Sequence, residues 1–166
     1  MLIAILRAVS PAIDRCELTH LARLPIDLET ARSQHDRYAD MLRSLGVEVH
    51  MLPAETGLPD SVFVEDAAVV LDECALITRP GAASRRSETR SIAEALAPYR
   101  ALFEIRSPGT LDGGDVLTVG KDIHVGLSTR SNRPAIQQMQ AGLAPYGYTL
   151  RGVKVLGCLH LKSAVT

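Results

Sequence analysis

The sequence predicts an α/β fold built from repeated strand–strand–helix–strand units, arranged as a solenoid or a radial propeller. Two observations carry this. The stretch "EDAAVVLDECALITRPG" parallels "GDVLTVGKDIHVGLSTR": each runs acid, apolar strand, turn, second apolar strand and arginine, Arg79 in one and Arg130 in the other. The spacing is also regular, with Asp66 and Asp115 lying 49 positions apart and two copies of "LAPY" 47 apart. A self-similar period of this size marks repeat architectures. A radial propeller closes with ~4–8 units, and this length holds about three. The alternative is coincidental likeness between helix–strand joins of an ordinary α/β protein.

The elements follow in order. "MLIAIL" is a first strand: it is too short for a signal segment and runs into Arg7. Leu28, Ala31, His35, Tyr38, Leu42 and Leu45 recur at three and four, predicting an amphipathic helix with Asp27 as N-cap and Gly46 as stop. "VEVHML" alternates as a strand. "SVFVEDAAVV" and "CALITR" read as two more. The turn "PGAAS" leads into a helix with Ile92, Leu96 and Tyr99 on its apolar face, and "LFEIR" is the strand after it. "DVLTV" and "IHVGLS" pair around "GKD". A third helix carries Ile136, Met139 and Leu143, with Pro134 in its first turn. Strands near "YTLRGVKV" and "LHLKS" complete the reading, the latter placing His160 on an apolar strand.

A chain of 166 residues is the size of one domain, read here as a single partial domain over 1–166. It is 46% hydrophobic and 22% charged with a net charge of -1, which gives no electrostatic footprint for nucleic acid or membrane. Aromatic residues are 4% with no Trp, which argues against base-stacking surfaces. Cys16, Cys74 and Cys158 form no zinc-like spacing, so no metal is expected. They read as reduced thiols of a cytoplasmic protein.

Several residues could carry chemistry. "PDSVFVED" gathers Asp60, Glu65 and Asp66; read as a strand, it turns Glu65 or Asp66 inward, where a bare carboxylate needs a cation. A solvated strand end is the competing reading. "GTLDGGDVL" sets Asp112 and Asp115 around two glycines, either for close approach of backbone to a ligand or for a tight turn. Arg79, Arg85, Arg86 and Arg130 stand at strand ends and helix entries, where a guanidinium can fork onto a carboxylate or simply be solvated. His160 is the best acid–base candidate, although a lone histidine in an apolar stretch is more often part of the core. His20, His35, His50 and His124 have no recurring partner. Carboxylates, carboxylate-binding arginines and one histidine suit a small ligand with a cation at one end and a carboxylate at the other, as in arginine-like molecules.

In order, "DSVFVEDAAVV", "ITRPGAASRRSE", "PGTLDGGDVL", "VGLSTRSN" and "LHLKS" resemble motifs of the dimethylarginine dimethylaminohydrolase family, within the guanidine-modifying superfamily of arginine deiminases and amidinotransferases. The resemblance runs from near Leu18 to the chain end. It implies the α/β propeller of five ββαβ units (the pentein fold), about three of them here, with no cofactor. It implies hydrolysis of Nω-methylated arginine to citrulline and a methylamine through a covalent adduct on a cysteine. It places His160 as general acid–base and Asp66 and Asp112 on the substrate guanidinium. Asp60 falls near the substrate α-amino group, Arg85 and Arg130 on its carboxylate, and Leu18 on a lid loop. Glu65 matches without a defined role.

One departure stands out. The family nucleophile is a cysteine in a later segment, and Cys16, Cys74 and Cys158 match other positions. The expectation is therefore an inactive fragment of such a hydrolase that self-associates through its exposed apolar surface. The rival readings are an arginine deiminase or amidinotransferase relative, or a non-catalytic propeller fragment that binds a ligand or a partner protein.

Overall fold

The computed structural model of the chain describes residues 2–19 and 21–165; His20 lies outside them. The chain divides into two compact units, Met1–Val64 and Glu65–Thr166.

In the first unit, β1 (Ile3–Arg7) pairs in parallel with β2 (Glu48–Leu52), and α1 (Leu28–Ser44) is the crossover between them. Asp27 caps α1 as expected, accepting a hydrogen bond from Thr30 N at 2.6 Å. Gly46 ends it at φ 80°, a conformation open to glycine without strain. The predicted stripe is only partly covered. Leu28, Ala31, His35 and Leu42 are half-buried, Tyr38 and Leu45 are exposed, and Ala39 is buried. Arg7 is enclosed within this unit because a carbonyl and a carboxylate meet it, Pro53 O and Glu55 Oε1, each at 2.9 Å.

The second unit contains the same supersecondary pattern twice. β3 (Ala68–Val70) runs antiparallel to β4 (Cys74–Ile77), α2 (Thr89–Leu96) crosses over, and β5 (Ala101–Glu104) returns parallel to β4. β6 (Val116–Val119), β7 (Asp122–Leu127), α3 (Arg133–Leu143) and β8 (Thr149–Lys154) repeat that order and pairing. The described residues thus hold two complete ββαβ repeats and one βαβ, in line with the about three units suggested by the sequence. All four residues of β4 are buried, because it is the middle strand of its sheet and α2 packs on it.

Pro134 opens α3 and Asn132 caps it, accepting from Ala135 N at 3.1 Å. Ala135, Met139 and Leu143 then turn into a core shared with Leu76, Leu111, Ile123 and Val125. The helix α2 buries Ile92 and Leu96 but stops at Leu96, so Tyr99 lies beyond it and is exposed. At the hairpin ends, Lys121 meets Glu73 and stacks over the Tyr148 ring at 3.9 Å, while Tyr148 Oη donates to Glu73 at 2.9 Å. No helix among the described residues is long and apolar enough to cross a membrane.

Two expected strands are instead tight 3-10 turns. Within "SVFVEDAAVV" the chain turns at Val64–Ala67, leaving Ala68–Val70 as strand. "LHLKS" turns at Leu161–Ser163, with His160 immediately before it. The cause is long-range. Asp66 accepts from Gly114 N and Asp115 from Leu161 N, each at 3.0 Å, and such side-chain bonds to distant backbone turn a segment whose local alternation reads as extended. A matching turn at Gly113–Asp115 precedes β6, so Asp112 and His160 hold the same place in successive periods.

Candidate active site

The recurring turns bring residues far apart in sequence into one buried cluster of the second unit. His160 Nε2 lies 3.2 Å from Asp112 Oδ2 and 3.9 Å from Asp66 Oδ1. Gly114 makes this approach possible: a Cβ there would lie 2.6 Å from His160 Nδ1 and 2.9 Å from Asp66 Oδ1. Asp112 is fully buried. Its Oδ1 accepts from Gly81 N at 2.9 Å, and Arg130 Nη1 stands 3.9 Å from its Oδ2. Asp66 Oδ2 accepts from Arg85 Nη1 at 2.8 Å, and Glu88 Oε2 accepts from Arg85 Nη2 at 2.9 Å.

Four buried carboxylates, Asp66, Glu88, Asp112 and Asp115, thus meet two buried guanidiniums, Arg85 and Arg130. This excess of negative charge makes the cluster a host for a further positive group. A carboxylate oxygen of Asp66, one of Asp112 and a ring nitrogen of His160 all lie within 4.8 Å of one another. A planar guanidinium, with N–H groups spread around its edge, suits the carboxylate acceptors Asp66 and Asp112, with the His160 ring beside them.

The protonation states follow from these contacts. Burial alone would lower the pKa of His160. The hydrogen bond to Asp112 and the charges of Asp66, Asp115 and Asp112 outweigh it, and the imidazole is held above its ordinary value. Burial likewise opposes the charge of Arg85, but Glu88 and Asp66 more than restore it. For Cys74, burial and the neighbouring Glu73 charge push the thiol up, which makes it inert.

A pH dependence of stability follows. A histidine whose pKa is raised on folding stabilises the fold fully below its unfolded value, about 6.5. That contribution is lost as pH rises through the folded value. The urea midpoint of the native chain is expected to fall more between pH 5.5 and 8.5 (chosen to span about a unit or more on either side of 6.5) than that of His160→Gln. Parallel pH profiles for the two proteins would contradict the assignment.

The other expected site residues are placed as follows. Glu65 is the outward member of its pair, exposed and held by Lys162 Nζ at 2.7 Å. Arg85, expected on a substrate carboxylate, has its fork on Asp66 and Glu88, so an incoming carboxylate must compete with both. Asp60 is buried in the first unit and accepts from Glu17 N at 3.2 and 3.1 Å, next to the exposed Leu18. In the same unit, Arg23 Nη2 donates to Cys16 O at 2.6 Å, tying down the loop that follows Leu18. Cys158 does not turn its thiol to the imidazole: Sγ donates to His160 O at 3.6 Å. Sequence reasoning missed Glu88, Ser128 and Ser131. The arginine three positions before Glu88, and the two serines flanking Arg130, were the available signals.

Comparison with known proteins shows the family and the fold. A family model described as N,N dimethylarginine dimethylhydrolase, eukaryotic, matches residues 21–157. The chain is 44% identical over 164 residues to N(G),N(G)-dimethylarginine dimethylaminohydrolase of Streptomyces coelicolor, covering 98% of this chain and 64% of that protein. A mutant of the dimethylarginine dimethylaminohydrolase from Pseudomonas aeruginosa, complexed with citrulline, superposes with a TM-score of 0.92 at 35% identity, over 96% of this chain and 63% of that one. The N-terminal domain of a cyanobacterial arginine dihydrolase, at 15% identity, shares the fold with a TM-score of 0.76 over 94% of this chain and 59% of that one. These likenesses place the chain in the α/β-propeller class of the guanidine-modifying proteins. The chain spans somewhat less than two thirds of the length of these relatives.

Proposed function

The chain belongs to the dimethylarginine dimethylaminohydrolase family, and from that premise we propose that it supplies the guanidinium-binding and acid–base half of a site that hydrolyses Nω-methylated arginine to citrulline and a methylamine. The observation that carries this is the buried contact of His160 with Asp112, beside Asp66, in surroundings richer in carboxylates than in cations. Asp66 and Asp112 orient the planar cation so that its carbon faces an attacking thiolate. The thiolate adds to that carbon, and the carbon–nitrogen bond to the methylated nitrogen breaks. His160, in its protonated form, gives its proton to the departing amine. The neutral imidazole then takes a proton from water, which attacks the same carbon and releases the thiolate and citrulline. Arg130, with Arg85 where a substrate carboxylate displaces its present partners, binds the far end of the substrate.

The thiolate comes from none of the three cysteines in this chain. Cys74 lies in the core, Cys16 is buried in the first unit, and Cys158 bonds to a carbonyl. The chain alone is expected to form no citrulline from dimethylarginine. A chimera that completes it with the portion of the Streptomyces relative outside the match is expected to form it, and to prefer dimethylarginine to arginine. Turnover by the chain alone that Cys158→Ser abolishes would move the nucleophile to Cys158. A chimera equally active on arginine would favour a deiminase.

The chain is also expected to self-associate, because β8 is an open sheet edge with five of its six residues exposed. Sedimentation at tens of micromolar, roughly the range where weak interfaces hold, is expected to show a dimer or larger. A clean monomer would oppose this.

A further inference from the structure

The carboxylate of Asp115 is used by none of the steps above, yet it is fully enclosed. A charge in such a place is costly unless its oxygens are satisfied. Three donors satisfy them: Ser128 Oγ and Ser131 Oγ on Oδ2, each at 2.7 Å, and Leu161 N on Oδ1 at 3.0 Å. Each leads to a site residue. Leu161 follows His160 directly. Ser131 Oγ, donating to Asp115, accepts from Asp112 N at 3.1 Å. Ser128 Oγ accepts from Arg130 N at 3.0 Å. One carboxylate therefore ties down the backbones that carry His160, Asp112 and Arg130. Strand β7 leaves room for it: a Cβ on Gly126 would stand 2.5 Å from Asp115 Oδ1.

We infer that Asp115 is a positioning residue, which fixes His160 against Asp112 from behind the site and sets a carboxylate near the imidazole. The inference rests on the proposed function only in giving His160 its acid–base task, and its test needs no turnover. The charged groups around His160 are Asp112, Asp66 and Asp115, with Arg130 near Asp112 and Arg85 on Asp66; Lys162, two residues on, is held by Glu65. Removing the charge of Asp115 withdraws one of three acids that favour the protonated ring.

The experiment is an NMR titration of the His160 imidazole in the 166-residue chain, in Asp115→Asn, and in Met139→Ala. Asparagine keeps the shape and an acceptor for Leu161 N but not the charge. Met139 is a fully buried core residue outside the network, so its truncation loosens the fold without touching these bonds. The expected result is a lower titration midpoint in Asp115→Asn and a native midpoint in Met139→Ala. A native midpoint in folded Asp115→Asn, or an equal drop in Met139→Ala, would overturn the inference. Should Asp115→Asn not fold, amide exchange at Leu161 in the native chain decides. Slowing by at least ~100-fold relative to an unstructured peptide is expected, and exchange at the unstructured rate would overturn it.

Discussion

His160→Gln in the chimera is expected to lower citrulline formation from dimethylarginine by ~10²–10⁴-fold, the usual worth of a positioned acid–base group. The loss falls on kcat, because glutamine can still hydrogen-bond Asp112 but neither gives a proton to the departing amine nor takes one from water. The environment of His160 explains why the effect is large. Its pKa is raised by the Asp112 bond and by nearby acids in spite of burial, which favours the protonated ring that the departing amine requires. The pH–rate profile of the native chimera should lose activity on the alkaline side as that proton is lost. In His160→Gln this limb should disappear. A variant with near-native kcat and the same alkaline limb would remove His160 from the chemistry.

Asp112→Asn is expected to cost more than ~10-fold in kcat/KM, above ~1.4 kcal/mol of transition-state binding. Breaking one member of a buried charge pair leaves the other uncompensated, which costs ~3–5 kcal/mol where it has been measured. Asp112 is shared by His160, Gly81 N and Arg130, so the change reaches both the acid–base group and the residue assigned to the substrate carboxylate. The substitution should therefore raise KM as well as lower kcat, and should lower the His160 titration midpoint. Native kinetics in Asp112→Asn would end its assignment to the guanidinium.

Much of the fold was legible because its signals are local. Asp27 and Gly46 bracket α1, Pro134 marks the start of α3, and the 49-residue spacing of Asp66 and Asp115 reports two copies of one supersecondary unit. The turns that make the site were not legible. "FVED" and "LHLK" alternate like strands, and the bonds that turn them come from partners 48 and 46 positions away. An inward carboxylate at Glu65 or Asp66 was foreseen, but on a strand rather than in a turn and without a choice between the two. Glu88 escaped notice because "SRRSE" reads as solvated surface until Arg85 is seen buried against it. Arg85 shows the limit of carrying a role over by motif: the role was a substrate carboxylate, while its present partners are two carboxylates of the chain itself.

Asp66, Asp112 and His160 are proposed to form a guanidinium site within this chain. The most direct test is an NMR titration of the 166-residue chain with dimethylarginine, following the Gly114 amide, which is bonded to Asp66, and the His160 imidazole. Saturable shifts at both positions are predicted, lost in Asp112→Asn and absent with lysine, whose compact ammonium lacks the planar fork. No response at either position, or an equal response to lysine, would contradict it.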